Sequence, residues 1–268
     1  MGNIIPFSLW HLTPTNTLAL IQQSFFCGRP KWSADDMPDL TGRVIIVTGG
    51  NSGIGKETVK ALLQHNAKVY MASRNPQKAS QAIDELERVT GKRAIFLELD
   101  LSDLASVKSA AMEFQRQETE LHVLCNNGGI MVPPNQRSTS NGYDLVFLTN
   151  VVGHFYLTQL LLPTLLATAR AHNTARIVNL TSMAHYVATV DYATFVESPQ
   201  QRRQKPFVLY AQSKWADAVM AMELARRYGS EGIVSVSVNP GNLNTDISQN
   251  TQGSVALLSK LFLFYPPA

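Results

Sequence analysis

From residue 43 onward, short runs of Val, Ile and Leu alternate with longer stretches in which apolar residues recur every three or four positions. RVIIVTG (43–49), KVYMASR (68–74), RAIFLELDL (93–101), LHVLCNN (121–127), RIVNLTS (176–182) and IVSVSVNPG (233–241) read as six strands. Between them, KETVKALLQHN (56–66), NPQKASQAIDELERVTG (75–91), SDLASVKSAAMEFQRQ (102–117), a stretch of about 143–168 and YAQSKWADAVMAMELARRYG (210–229) read as helices. Strands that are apolar on both faces and separated by amphipathic helices predict a parallel sheet covered on both sides. The expected architecture is a single doubly wound α/β domain of the Rossmann type over residues 43–268, with residues 1–42 as an N-terminal extension. The chain has no internal repeat, low-complexity tract or linker within that domain.

Composition narrows the function classes. The 45% hydrophobic and 16% charged content is that of a globular protein with a sizeable core. A net charge of +3, without a long Lys/Arg run, gives no nucleic-acid footprint. With only Cys27 and Cys125, a disulfide framework is not expected, and a reducing, cytoplasmic setting fits. The N-terminal stretch lacks a basic leader and is broken by Pro6, His11 and Pro14, so neither a signal peptide nor a membrane span is expected there. Gly2 is followed by Pro6 where a myristoylation signal needs Ser or Thr. Leu18, Ile21 and Phe25 share a helical face, expected to pack on the domain rather than contact a bilayer.

The first strand runs into TGGNSGIGKET (48–58), whose Gly49, Gly53 and Gly55 fall at a strand–turn–helix junction. Small residues there let backbone approach a pyrophosphate, and the helix N-terminus supplies amide donors. Gly49, Asn51, Ser52, Gly53, Ile54 and Gly55 are therefore candidate cofactor contacts. At the end of the second strand stand Ser73 and Arg74, where an acid would favour an unphosphorylated adenosine ribose. A guanidinium instead suits a 2′-phosphate. LYAQSK (209–214) places Tyr210 and Lys214 four apart, on one face of a helix.

Taken together, TGGNSGIG, Asp100 after the third strand, NNGG (126–129), NVVGHF (150–155), Ser182, YAQSK and NPG (239–241) resemble the ordered signature of the short-chain dehydrogenase/reductases. The resemblance spans about residues 40–265 and is greatest to the branch of retinol dehydrogenases and fungal relatives. It implies an NADP(H)-dependent oxidoreductase interconverting a carbonyl compound and an alcohol. Tyr210 would be the general acid or base, and Lys214 would stabilise its phenolate and hold the nicotinamide ribose. Ser182, chosen over Thr181 as the second residue of the TS pair, would orient the substrate oxygen, and Asn150 would hold a relay water. Asp100 and Leu101 would flank the adenine, and Asn127 with Gly128 would support a ribose. Pro240, Leu243 and Thr245 would line the nicotinamide side. The family's usual Asn-Asn-Ala-Gly reads Asn126-Asn127-Gly128-Gly129 here, a change that loosens backbone without deleting a chemical group. A homodimer and a fairly apolar substrate are implied as well.

No metal site is expected, since the six histidines are scattered, and His154 and His185 read as packing or substrate-side residues. The alternative function is a catalytically weak or inactive dinucleotide-binding protein of the same fold. Family members generally continue into a further helix and a seventh, edge strand. After NPGNLNTD (239–246) this sequence offers only an apolar helix, SVALLSKLFLF (254–264), and YPPA. A C-terminally truncated sheet, with IVSVSVN (233–239) as its exposed edge, is the expectation.

Overall fold

The computed structural model describes residues 17, 18, 22, 31–131, 133, 142–187 and 190–241. The expected shape of the C-terminal segment, together with Leu243 and Thr245, lies outside these residues, as do Ile21 and Phe25.

Strands β1 (Val44–Thr48), β2 (Lys68–Ser73), β3 (Ile95–Glu98), β4 (Val123–Asn126), β5 (Ala175–Leu180) and β6 (Ile233–Val238) form one parallel sheet in the order β3-β2-β1-β4-β5-β6. Helices α1 (Gly53–Gln64), α2 (Pro76–Thr90), α3 (Leu104–Gln117), α4 (Leu145–His172), α5 (Pro199–Arg203) and α6 (Pro206–Tyr228) connect them. All six strands occur where the hydrophobic runs place them. The order reverses direction between β1 and β4, and a sheet of this kind opens a crevice beyond its carboxyl ends at that point.

Alternation along β1 sorts the core into two layers. Ile46 packs with Tyr70, Phe114, Leu157 and Leu161 on the side of α3, α4 and α6. Ile45 and Val47 pack with Val59, Met71, Ile83 and Leu86 on the side of α1 and α2. Every residue of β1 is buried, which is why it reads as an unbroken apolar run. Local chemistry fixes the boundaries. Asn75 caps α2 by accepting from the Lys78 amide, Pro76 occupies its first turn, and Gly91 ends it at φ 70°. Asp103 caps α3 through the Ala105 amide.

Three boundaries differ from the pattern reading. Strand β3 is shorter, ending where its pairing with β2 does, from Tyr70↔Ile95 to Ser73↔Glu98. Helix α6 starts at Pro206 rather than Tyr210, since the proline supplies a first-turn φ at no hydrogen-bond cost. Helix α4 runs on to His172 and contains a π turn, Leu148–Val152, closed by the Gly153 amide on the Leu148 carbonyl.

By length and composition α4 could cross a bilayer, but more than half of its most apolar window is buried inside the domain. It is a core helix. At the N-terminal side, Met37 and Leu40 pack on the α1/α2 layer, and the Leu40 amide donates to the His65 carbonyl at 2.7 Å. Strand β6 pairs with β5, and Val234, Val236 and Val238 are exposed on it.

Candidate active site

The carboxyl ends of β1 and β4 meet at Thr48 and Asn127. Gly49 turns the chain at φ +64°, and a Cβ on Gly55 would lie 2.2 Å from the Gly49 carbonyl oxygen, so helix α1 abuts the turn as only glycine allows. Ser52 occupies the N-cap position of α1, but its hydroxyl makes no capping bond, and no acid stands in the first turn. The N-terminal amides of α1 thus face the crevice without a competing negative charge, which suits a pyrophosphate. Ile54 lies in the first turn of α1, Asn51 in the loop before it. Asn127 reaches back from β4, its Nδ2 donating to the Thr48 carbonyl at 2.7 Å. A methyl on Gly128 would come 3.0 Å from the movable end of Leu101, a tight fit that a small shift of that side chain relieves.

The hydroxyl of Thr48 is the hub of a buried network. It accepts from the amides of Asn127 and Gly128, each at 2.9 Å, and lies 2.8 Å from His154 Nε2. The other ring nitrogen, Nδ1, is 2.8 Å from the Asn150 carbonyl oxygen, which can only accept. Nδ1 therefore carries the proton, and Nε2 takes the Thr48 hydroxyl hydrogen. Burial, more than any neighbour, drives His154 down to about 4, so the ring is neutral.

The π turn places Asn150 inside the domain. Its amide pairs with both backbone groups of Ile130, at 2.9 and 3.0 Å, and Nδ2 also donates to Ser213 Oγ at 2.9 Å. The Ser213 hydroxyl in turn donates to the Tyr210 carbonyl. Asn150 thereby ties the segment after β4 to the first turns of α6.

On α6, Tyr210 and Lys214 share a buried face, with Lys214 Nζ 5.9 Å from the phenol ring centre. Nζ donates to the Leu180 carbonyl at the end of β5 and to Asp217 Oδ2, each at 2.8 Å. Burial works against both charges. For Lys214 the Asp217 and Tyr210 charges outweigh it and raise the ammonium above its ordinary value, while Asp217 itself is pushed up to about 6. An apolar group surrounds the phenol: Val146, Ala184 and Ala211, flanked by Ile130, Val187 and Phe207. Ser182 opens the 3₁₀ turn Met183–Val187, which packs on α6, and its Oγ accepts from the Ala184 amide at 3.2 Å.

The remaining predicted contacts sit along the same edge. Ser73 ends β2 with its hydroxyl buried and without a partner among the described residues, and Arg74 follows it, largely exposed. Arg74 Nη1 is 4.0 Å from Asp100 Oδ2, while Asp100 Oδ1 accepts from Ser102. Leu101 is buried beside Gly128, and Pro240 follows the end of β6.

At the other end of the sheet, and unforeseen from the sequence, the ligating atoms of Glu120, His122 and His172 lie within 4.8 Å of one another. Their spacing is metal-like, but their protons are not. The Val44 amide donates to His122 Nδ1 at 3.1 Å, so the neutral ring carries its hydrogen on Nε2, the atom that faces the cluster. A metal there would need that lone pair, so the cluster is better described as a His172–Glu120 hydrogen bond, at 2.8 Å, with His122 Nε2 3.9 Å from Glu120 and not bonded to it.

A six-stranded parallel sheet in this order, with a glycine turn at its switch point, defines a dinucleotide-binding α/β protein. Residues 43–255 match the family model of the short chain dehydrogenases, and the chain belongs to that family. Among curated relatives, a short-chain dehydrogenase/reductase of Armillaria gallica is 50% identical over 249 residues, 93% of this chain and 80% of the relative. Mouse retinol dehydrogenase 11 (Mus musculus) is 36% identical, over 84% of this chain and 69% of its own. Among solved structures, a Pseudomonas aeruginosa RhlG/NADP active-site complex superposes with a TM-score of 0.65 at 25% identity, covering 83% of this chain and 81% of that one. The protein is an oxidoreductase of this family, acting on small molecules.

Proposed function

We propose that this protein interconverts a carbonyl compound and an alcohol with NADP(H), Tyr210 moving the proton. The observation that carries the reading is the convergence of Tyr210, Lys214 and the Asn150 bracket beside a glycine turn whose helix N-terminus carries no acid. The bound dinucleotide supplies or accepts the hydride at the substrate carbon. Ser182 holds the substrate oxygen, and Tyr210 delivers a proton to that oxygen in reduction and removes it in oxidation. The Lys214 ammonium stabilises the negative charge left on the phenol oxygen. Asn150 fixes α6 against the segment after β4 and holds the relay water in this reading.

Gly49, Asn51, Ser52, Gly53, Ile54 and Gly55 cradle the pyrophosphate in this reading. Asp100, Leu101, Asn127 and Gly128 flank the adenosine half, and Pro240, with Leu243 and Thr245, the nicotinamide half. Ser73 and Arg74 take the 2′-phosphate. The apolar group around Tyr210 favours a fairly apolar substrate. We further propose a cytoplasmic homodimer built on residues 43–268, with residues 1–42 as an extension packed on the domain.

Titration of the whole chain with each cofactor tests the assignment. NADPH binds at least about tenfold tighter than NADH, a difference of ~1.4 kcal/mol. Arg74→Ala erases most of that preference and leaves NADH affinity nearly unchanged. Equal affinities in the parent protein overturn the role of Arg74.

A further inference from the structure

We propose that Asp217 is a positioning residue for Lys214: its buried carboxylate keeps the amine protonated and seated at the end of β5. The consequence for turnover rests on the functional reading above; the pairing itself does not. Residues 214 and 217 lie three apart on α6, with side-chain exposures of 5% and 4%. A lysine so far from water sheds its proton readily, because burial penalises the charged form. Among the described residues the only carboxylate bonded to Nζ is Asp217, at 2.8 Å, and one further N–H goes to the Leu180 carbonyl. Two of the three ammonium donors are thus spent on holding it in place. The third side of Nζ faces Gly129, where an added Cβ would come within 3.9 Å of it.

The other titratable groups facing the pair cannot replace the carboxylate. Tyr210, on the same helix, carries a negative charge only when it has given up its proton, and His154 from α4 is neutral and further depressed by the Lys214 charge. β5 offers the Leu180 carbonyl and, from Thr181 just beyond it, a hydroxyl that bonds the Lys214 backbone carbonyl rather than the amine. Asp217 accepts this position at a cost, since its Oδ1 is buried and has no hydrogen-bond partner among the described residues. A carboxylate held so unfavourably has a purpose beyond packing, and the amine it holds is the obvious one.

The test is a pH titration of the Lys214 side chain by NMR on the whole chain with 13Cε/15Nζ-labelled lysine, assigned by loss of the signal in Lys214→Arg. In the parent, Lys214 stays an ammonium through the range in which ordinary lysines titrate. In Asp217→Asn its midpoint falls by at least about two pH units, and in Asp217→Glu it is largely restored. An unchanged midpoint in folded Asp217→Asn overturns the proposal. If that variant does not fold, the parent still decides: the Lys214 signal steps as pH falls through about 6, where Asp217 takes its proton, and a flat response across that range overturns the pairing. Turnover is read separately, as NADPH oxidation with an aromatic aldehyde. Its alkaline limb moves down in Asp217→Asn with the Lys214 midpoint, whereas a merely structural defect scales the whole profile. If Lys214 titrates as expected but Lys214→Ala keeps full turnover, the pairing stands and the catalytic reading of Lys214 fails.

Discussion

His154 and His122 are buried histidines at opposite ends of one sheet, and they are wired in opposite senses. His154, at the carboxyl ends of the strands, donates from Nδ1 to the Asn150 carbonyl and accepts the Thr48 hydroxyl on Nε2. His122, before β4, accepts the Val44 amide on Nδ1 and turns its Nε2 hydrogen towards Glu120 without bonding it. The first joins two elements of the candidate site, the glycine turn and the π turn. The second joins the start of β1 to the start of β4. The same side chain is thus a link between functional loops at one end and a strand fastener at the other. The tautomer, dictated by the backbone groups each ring meets, distinguishes them.

Substitutions at the two ends should therefore separate turnover from stability. The largest effect is expected at the carboxyl end. Tyr210→Phe deletes a hydroxyl and little packing, so it should lower turnover by about 10³-fold or more while cofactor affinity and the melting temperature barely move. Substantial activity of this variant on a true substrate would refute the proton-transfer scheme.

A second effect is seen in pH dependence. The His154 ring is held down to about 4, against an ordinary 6.5 in the unfolded chain. Its contribution to stability is complete above 6.5 and is lost as the unfolded state takes up a proton, by about 2 kcal/mol at pH 5. Asp217, held up to about 6, acts with the opposite sign between 6 and its ordinary 3.8. The informative quantity is then the difference between the parent and His154→Asn, each referred to its own stability at pH 7. Denaturant unfolding at pH 7 and pH 5 should show the parent losing about 2 kcal/mol more than the variant. Parallel losses would mean that the ring is already protonated or exposed.

The smallest effect belongs to the other end. His122→Ala removes the partner of the Val44 amide and should cost about 1–3 kcal/mol of stability, with turnover per folded molecule unchanged. A fall in turnover without a fall in stability would erase the contrast between the two ends.

What the sequence disclosed follows from how each feature is encoded. The strands and the glycine turn were legible because contiguous runs and local spacing specify them, and YAQSK because i and i+4 share a helical face. The π turn was not, since one extra residue in a helix rich in Leu and Val leaves its apolar pattern readable as an ordinary helix. Asp217 looked like a polar position of an amphipathic helix, and only the packing of α6 against β5 shows that it is buried. Glu120 and His172 are 52 residues apart and meet only through the fold. The start of α6 did have a local signal, Pro206, which the pattern of apolar residues outweighed.

The π turn Leu148–Val152 carries a consequence for insertions and deletions. A single-residue deletion within an α-helix ordinarily rotates everything beyond it by about 100° and ruins its buried face. Here a deletion in the turn converts the wide loop closed by Gly153 into a regular one, so the helix gains a standard hydrogen bond and the face formed by Leu157, Leu161 and Leu165 can keep its seat. Asn150 or its carbonyl would no longer be presented to Ile130 and His154. Length variation at this spot is thus expected to yield chains that fold well and do nothing, a class of lineage change that substitution-based comparisons would overlook.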